Sequence, residues 1–400
     1  EFSVTNLMAW SPDSEYLAYV RFDESEVPEY SMQVYGDGYY PSYYKFKYPK
    51  AGEKNSKVSL HAYCVQTRDT KDLKVPVDGD SYIPRITFTK NEDQLAVMTL
   101  NRQQNIFNMY FVNPKSGVSR LILRDENKCY VDSEWLTSIH FLKDGFTYVS
   151  EQDGYAHIYL YSPTGVVQRQ VTKGNWDVTR FIGIDEKTKT VYYESAEESP
   201  TQRAVYKIDA KGVKVKLSKS VGTNSASFSA NYAYYVNRYS NANTPVRITV
   251  NETKKGKELR VLQDNAALRE RLKEYRFAPR EFMTVHTASD YEFNAWMIKP
   301  ADFDPSKKYP VMMTQYSGPN SQRVLDSYSF GWEYYLASKG IIVVCVDGRG
   351  TGARGEAFRK CTYMRMGELE SRDQVEAAQA LGELHRQEPD RDLGLELRWL

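Results

Sequence analysis

WEYYLASKGIIVVCVDGRGTGARG, Trp332 to Gly355, is the stretch on which the fold turns. Its first part reads as the end of a helix, with Gly340 as the stop, because glycine takes the left-handed conformation that closes a last helical turn. Ile341 to Val346 is then a run of six apolar residues, the longest in the chain. That is far below the roughly 20 needed to cross a bilayer as a helix, so it predicts a buried strand and no membrane span. The glycine-rich loop DGRGTGARG, Asp347 to Gly355, follows, and ESRDQVEAAQAL, Glu370 to Leu381, has helical spacing. Helix, strand, loop and helix around an uninterrupted apolar strand predict a parallel α/β sheet covered on both faces.

The same alternation extends upstream. VMMTQY from Val311 reads as another apolar strand, PADFDPSKKYP as a turn-rich link, and Glu281 to His286 with Asn294 to Lys299 as two hairpin-like strands. DNAALRERLKEY, Asp264 to Tyr275, is a predicted helix with Asp264 as its N-cap. The order and spacing from residue 263 onward are those of the first half of an α/β-hydrolase.

Before Leu262 the chain changes character. Short aromatic and β-branched runs alternate with polar turns, and tyrosine is abundant, at 32 residues. A weak repeat recurs in MAWSPDSEYLAYV from Met8, ITFTKNEDQLAVM from Ile86, IHFLKDGFTYV from Ile139, FIGIDEKTKTVYY from Phe181 and FSANYAYYV from Phe228. After a longer first interval, the period of roughly 40 to 50 residues is that of a propeller blade, and about five blades are expected over residues 1–262. A β-sandwich or two small barrels is the competing reading of the same pattern. Within the first blade, SMQVYGDGYYPSYYKFKYPKAG, Ser31 to Gly52, is too long and too rich in tyrosine for a hairpin loop. It is expected to be an arm, covering either a partner or its own blade.

Composition narrows the classes. Lys plus Arg number 53 against 52 Asp plus Glu, which leaves no basic field to hold a nucleic acid. Cys64, Cys129, Cys345 and Cys361 lack the short paired spacing of a zinc site or a disulfide framework. There is no HExxH, no P-loop and no metal-ligand cluster, so neither metal nor cofactor is expected.

The final residues, Glu383 to Leu400, read differently from the rest. Codons permitted for ELHRQEPDRDLGLELRWL spell SYIDRSRIGIWGWSYGG when read one base later, which contains the G-x-S-x-G of a serine hydrolase's nucleophile turn. The tail is therefore expected to be out of frame, with the nucleophile, acid and base missing. The first residues, EFSVTN without a Met, are read as a cut end as well.

WSPDSEYLAYVRFDE (Trp10 to Glu24), YPKAGEKN (Tyr48 to Asn55), DGYAHIYLY (Asp153 to Tyr161), VTKGNWDV (Val171 to Val178), KKYPVMMTQYSGPNSQ (Lys307 to Gln322), DGRGTGARG and ESRDQVEAA together resemble the prolyl oligopeptidase family of serine peptidases, across nearly the whole chain. The resemblance implies an eight-bladed propeller over an α/β-hydrolase, a Ser, Asp and His triad, and release of dipeptides from free N-termini with Pro or Ala second. Oligopeptidase or acylaminoacyl-peptidase specificity is the alternative within the family, and a non-catalytic propeller fragment the alternative outside it. By the resemblance, Tyr316 donates a hydrogen bond to the oxyanion and Glu1 is one of two glutamates that bind the substrate's α-amine. It also implies a secreted or periplasmic homodimer, with the arm Tyr35 to Tyr48 near the contact.

Tyr316 ends a predicted buried strand, so its ring is expected to be held by the core with the hydroxyl turned into the site. Asp347, Arg349 and the glycines of their loop are weaker candidates. Asp23, Glu24 and Glu26 would line a channel or form a solvated face. His61, His140, His157 and His286 precede any plausible triad position, and His385 lies in the tail.

Overall fold

Sheets of four strands recur along the first two thirds of the backbone. In the computed structural model, which describes residues 2, 4, 6–387 and 395–396, five four-stranded antiparallel sheets follow one another along the chain. Their first strands are Met8–Trp10, Tyr82–Phe88, His140–Leu142, Val178–Asp185 and Thr223–Phe228, and the fifth sheet ends at Glu258–Gln263. These are propeller blades, in the number the repeat predicts. Inner strands Leu95–Leu100, Gly145–Ser150 and Thr190–Ser195 are buried at every residue, whereas strands at sheet edges, such as Val167–Gln170, are largely exposed. An inner strand packs on both faces, which is why the aromatic and β-branched runs are so dense.

The chain divides into two compact units, Glu1–Tyr148 with Tyr159–Arg169, and Val149–Ile158 with Gln170–Leu400. In the first, Ala18, Leu60, Ala62 and Leu73 of one blade pack with Ile83, Leu95, Val97 and Val112 of the next. The arm belongs to this unit. Its strands Glu29–Val34 and Ser42–Lys47 pair in register from Glu29↔Lys47 to Val34↔Ser42, and Tyr35, Tyr39, Tyr40, Tyr43 and Tyr44 remain exposed. The blade strands that flank it, Tyr16–Asp23 and Lys57–Cys64, pair directly up to Asp23↔Lys57.

In the second unit, Tyr192, Val205, Leu217, Ala226 and Tyr235 join the last two blades. Beyond Gln263 lies helix Ala266–Leu272, shorter than its sequence pattern. The expected N-cap is corrected: the cap position is Asn265, in a left-handed conformation without a side-chain cap bond, and Asp264, one residue earlier, accepts from Ala266 N at 3.0 Å.

A five-stranded sheet follows, made of Arg280–His286, Glu292–Ile298, Tyr309–Thr314, Ile342–Asp347 and Leu395–Glu396. Their spatial order is first, second, fourth, third, fifth. The expected parallel pairing holds between Tyr309–Thr314 and Ile342–Asp347, and the two hairpin-like strands join the same sheet, which makes it mixed. Glu292–Ile298 pairs antiparallel with Arg280–His286 on one side and with Ile342–Asp347 on the other, and only the Tyr309–Thr314 pairings are parallel. The cause is local: Thr287 N donates to Tyr291 O at 2.9 Å in a hairpin turn too short for a crossover.

The decisive run Ile342–Val346 alternates as a strand covered on both sides must. Ile342, Val344 and Val346 face Ala377 and Leu381 of helix Glu368–Gln387. Val343 and Cys345 face Tyr334 and Ala337 of helix Trp332–Ser338. Burial pushes the Cys345 thiol up to about 12, so this cysteine is a core residue and not a nucleophile.

Candidate functional site

Strand Tyr309–Thr314 delivers the chain to a loop of unusual backbone. Ser317 and Asn320 hold φ of 55° and 59°, a left-handed conformation that costs residues carrying a Cβ and that clusters at functional loops. Tyr316 precedes it. Contrary to the expected core-held ring, its side chain is 69% exposed, because the turn at Ser317 carries it past the end of the strand. The ring lies over Gly318, where an added Cβ would stand 2.5 Å from Cε1. Ser317 is buried instead, and its Oγ has no hydrogen-bond partner among the described residues.

The loop is fixed from below. Ser321 N and Oγ both donate to Gly318 O, at 3.0 and 2.6 Å. Asn320 N donates to Gly350 O at 2.9 Å and Gly352 N to Ser321 O at 3.0 Å. Asp347, at the end of the buried strand, accepts from Arg323 N at 2.9 Å and Val324 N at 2.7 Å. Burial pushes the Asp347 carboxyl up to about 6, against the pull of those N–H donors.

Close approach explains the glycines of DGRGTG. A Cβ at Gly352 would meet Asn320 Oδ1 at 2.7 Å, and one at Gly348 would meet Asp373 Cβ at 2.9 Å. Arg349 donates to Asp373 through its backbone N at 2.7 Å and through Nε at 3.0 Å, and stacks on Tyr291 at 4.2 Å. The carboxylate holds the guanidinium above its ordinary value. Asp347, Arg349 and the glycines thus support the Tyr316 loop as a scaffold.

Blade residues of the same unit complete the support. Glu151 is buried against Arg359 and Lys360, the latter at 2.7 Å. Arg359 Nη1 in turn donates to Asn320 Oδ1 at 3.4 Å. Asp177 accepts from Ala156 N and Gly355 N, each at 2.9 Å, and Glu356 N donates to Gly154 O at 3.0 Å. Gln322 Nε2 donates to Pro200 O at 2.7 Å, and Asp326 Oδ1 accepts from Ala242 N at 2.8 Å. Sequence reasoning missed Glu151, Asp177, Asn320, Arg359 and Lys360. Asp177 and Asn320 lie inside matched segments, the one signal that could have flagged them. The whole presents an exposed phenolic O–H on a rigid base, an arrangement suited to donate to a developing oxyanion.

The remaining candidates stand elsewhere. Glu1 lies outside the described residues, as do most of the tail and the His385 side chain. Glu26 is exposed and pairs with Lys54 at 2.5 Å and with Lys57, which hold its carboxyl down to about 2. That is a solvated charge cluster. Asp23 is also exposed and accepts from Ser25 N at 3.0 Å. His157 is buried, with Nδ1 at 3.0 Å from Thr172 Oγ1 and Nε2 at 2.9 Å from Gly174 O. His286 is exposed beside Glu292. Among the described residues no helix is long and apolar enough to cross a membrane, and no group of three or more potential metal ligands assembles.

Comparison with known proteins agrees with this architecture. Residues 1–246 match the family described as the dipeptidyl peptidase IV (DPP IV) N-terminal region, and residues 328–392 match the prolyl oligopeptidase family. The chain is similar to dipeptidyl peptidase 4 of Trichophyton rubrum, with 32% identity over 392 residues that cover 92% of this chain and 50% of the relative. Its fold is similar to that of Porphyromonas gingivalis dipeptidyl peptidase 4, with TM-score 0.94 and 61% identity, covering 99% of this chain and 56% of that one. A putative dipeptidyl aminopeptidase IV from Bacteroides ovatus gives TM-score 0.85 and 27% identity, with 99% and 59% coverage. The chain therefore spans about half the length of the relatives it matches.

Proposed function

Because the chain belongs to the prolyl oligopeptidase family of serine peptidases, in its dipeptidyl peptidase IV group, we propose that it is part of a serine exopeptidase that releases X-Pro and X-Ala dipeptides from free peptide N-termini. In this reading a serine attacks the scissile carbonyl, a histidine takes and returns the proton, and an acyl-enzyme forms and hydrolyses. Tyr316 donates a hydrogen bond from its phenolic O–H to the oxyanion of each tetrahedral intermediate. The observation that carries its role is the exposed Tyr316 ring on a loop pinned by Asp347, Gly350 and Arg359. Glu1 binds the substrate's ammonium group, and a second glutamate beside it makes a longer N-terminal extension costly to bind, since the paired charge would be left buried alone.

No G-x-S-x-G occurs in the 400 residues, which supports a second reading for this polypeptide by itself: a propeller-bearing chain that binds but does not cleave. Peptides with a free N-terminus are its proposed ligands, and secretion or a periplasmic address and a homodimer through the arm are its proposed setting.

The test uses a glycyl-prolyl anilide. The 400-residue chain is expected to release no chromophore, and serine-inhibitor-sensitive release would overturn its assignment as unable to cleave peptides. A longer product of the same gene carrying a G-x-S-x-G segment is expected to release it, and failure there would overturn the exopeptidase reading.

A further inference from the structure

The first blade carries a nucleophile, a base and an acid in line. Ser59 Oγ lies 2.8 Å from His61 Nε2, and His61 Nδ1 lies 2.8 Å from Asp72 Oδ1. The strands enforce this. Ser59 and His61 are two apart on strand Lys57–Cys64 and share one face. Asp72 is the direct cross-strand partner of His61 on strand Thr70–Leu73, a placement that brings side chains within contact.

A carboxylate only accepts hydrogen bonds, so Nδ1 carries the proton of the neutral imidazole. Nε2 is then left as the acceptor for the Ser59 hydroxyl. That is the tautomer and polarity a general base needs. The Tyr19 ring stacks on His61 with centroids 5.2 Å apart, and the imidazole side chain is only 12% exposed, so its orientation is fixed. Ser59 itself is open to solvent. Arg21 stands directly across from Ser59 in the register with strand Tyr16–Asp23, on the same face. The opposite face of these strands carries Ala18, Leu60 and Ala62 into the blade core, so packing alone does not call for a polar relay on this side.

We propose that Ser59, His61 and Asp72 form a second acyl-transfer site, with Arg21 facing the developing oxyanion, that accepts small activated acyl donors such as aryl esters. Ser59 Oγ adds to the ester carbonyl carbon while its proton passes to His61 Nε2. The tetrahedral adduct then expels the aryloxide, which takes that proton and leaves as the phenol. Water adds to the acyl-serine, His61 accepts its proton and returns one to Oγ, and the carboxylic acid departs. A fluorophosphonate reacts at the same oxygen, forming the Oγ–P bond and breaking P–F, with fluoride as the leaving group.

The test treats the 400-residue chain with a fluorophosphonate, maps the adduct by peptide mass spectrometry, and follows p-nitrophenyl acetate in parallel. An adduct on Ser59 is expected, absent from S59A and formed at least about tenfold more slowly in H61N and D72N. Circular dichroism checks that H61N folds. D72N keeps the test decisive if it does not, because the Asp72 side chain is 79% exposed. No adduct on Ser59, or one whose rate is unchanged in D72N, overturns the proposal. Release of glycyl-prolyl anilide is read separately, so the two sites stand or fall independently.

Discussion

Asp347 serves two consecutive N–H groups from inside the core, and the cost of that burial can be measured. Its native pKa of about 6 stands above the ordinary 3.8, so the protonated form is favoured by folding. The stabilisation from this group is fully present below pH 4 and is lost as pH rises through 6. Denaturant titrations from pH 4 to 7 should show D347N gaining on the wild type over that window, by up to about 3 kcal/mol. At Tyr316, Y316F should leave the melting temperature of this chain nearly unchanged, because the hydroxyl faces solvent. In a longer product that cleaves the anilide, the same change should lower kcat by about 10² to 10³. The context Q-Y-S-G-P made Tyr316 legible as a candidate. Its exposure was not, since that follows from the φ of Ser317 and the closeness of Gly318, neither of which has a periodic signature.

The elements around the loop fail in different ways. Gly355 combines a φ of 78° with a missing Cβ that would stand 2.7 Å from the Tyr155 ring. G355A should therefore destabilise by about 2 kcal/mol or more in urea unfolding, through strain and clash together. E151A would remove the buried carboxylate that pairs with the buried cations Arg359 and Lys360, and a loss of about 3 to 5 kcal/mol is expected. A two-sided apolar run announced strand Ile342–Asp347, and a repeat of roughly 40 to 50 residues announced the blades. The mixed pairing of the final sheet was less visible, because hairpin-like strands can form a separate ribbon or join a larger sheet with the same sequence. The Glu151 clasp was invisible, for its partner Arg359 lies 208 positions away and single-sequence patterns report only neighbours.

For the molecule as a whole, the arm offers the clearest measurement. Replacing Tyr39, Tyr40, Tyr43 and Tyr44 with serine should leave thermal unfolding unchanged, since all four are exposed. The same variant should sediment as a smaller species if the arm joins two copies, and identical profiles would refute that role. The blade's ladder closes beneath the arm: Asp23 and Lys57 face each other across paired strands, so the intervening residues leave and return at the same point. A foreign module whose termini lie close together, such as a fluorescent reporter, could be spliced between those two positions without altering the connectivity of the surrounding strands.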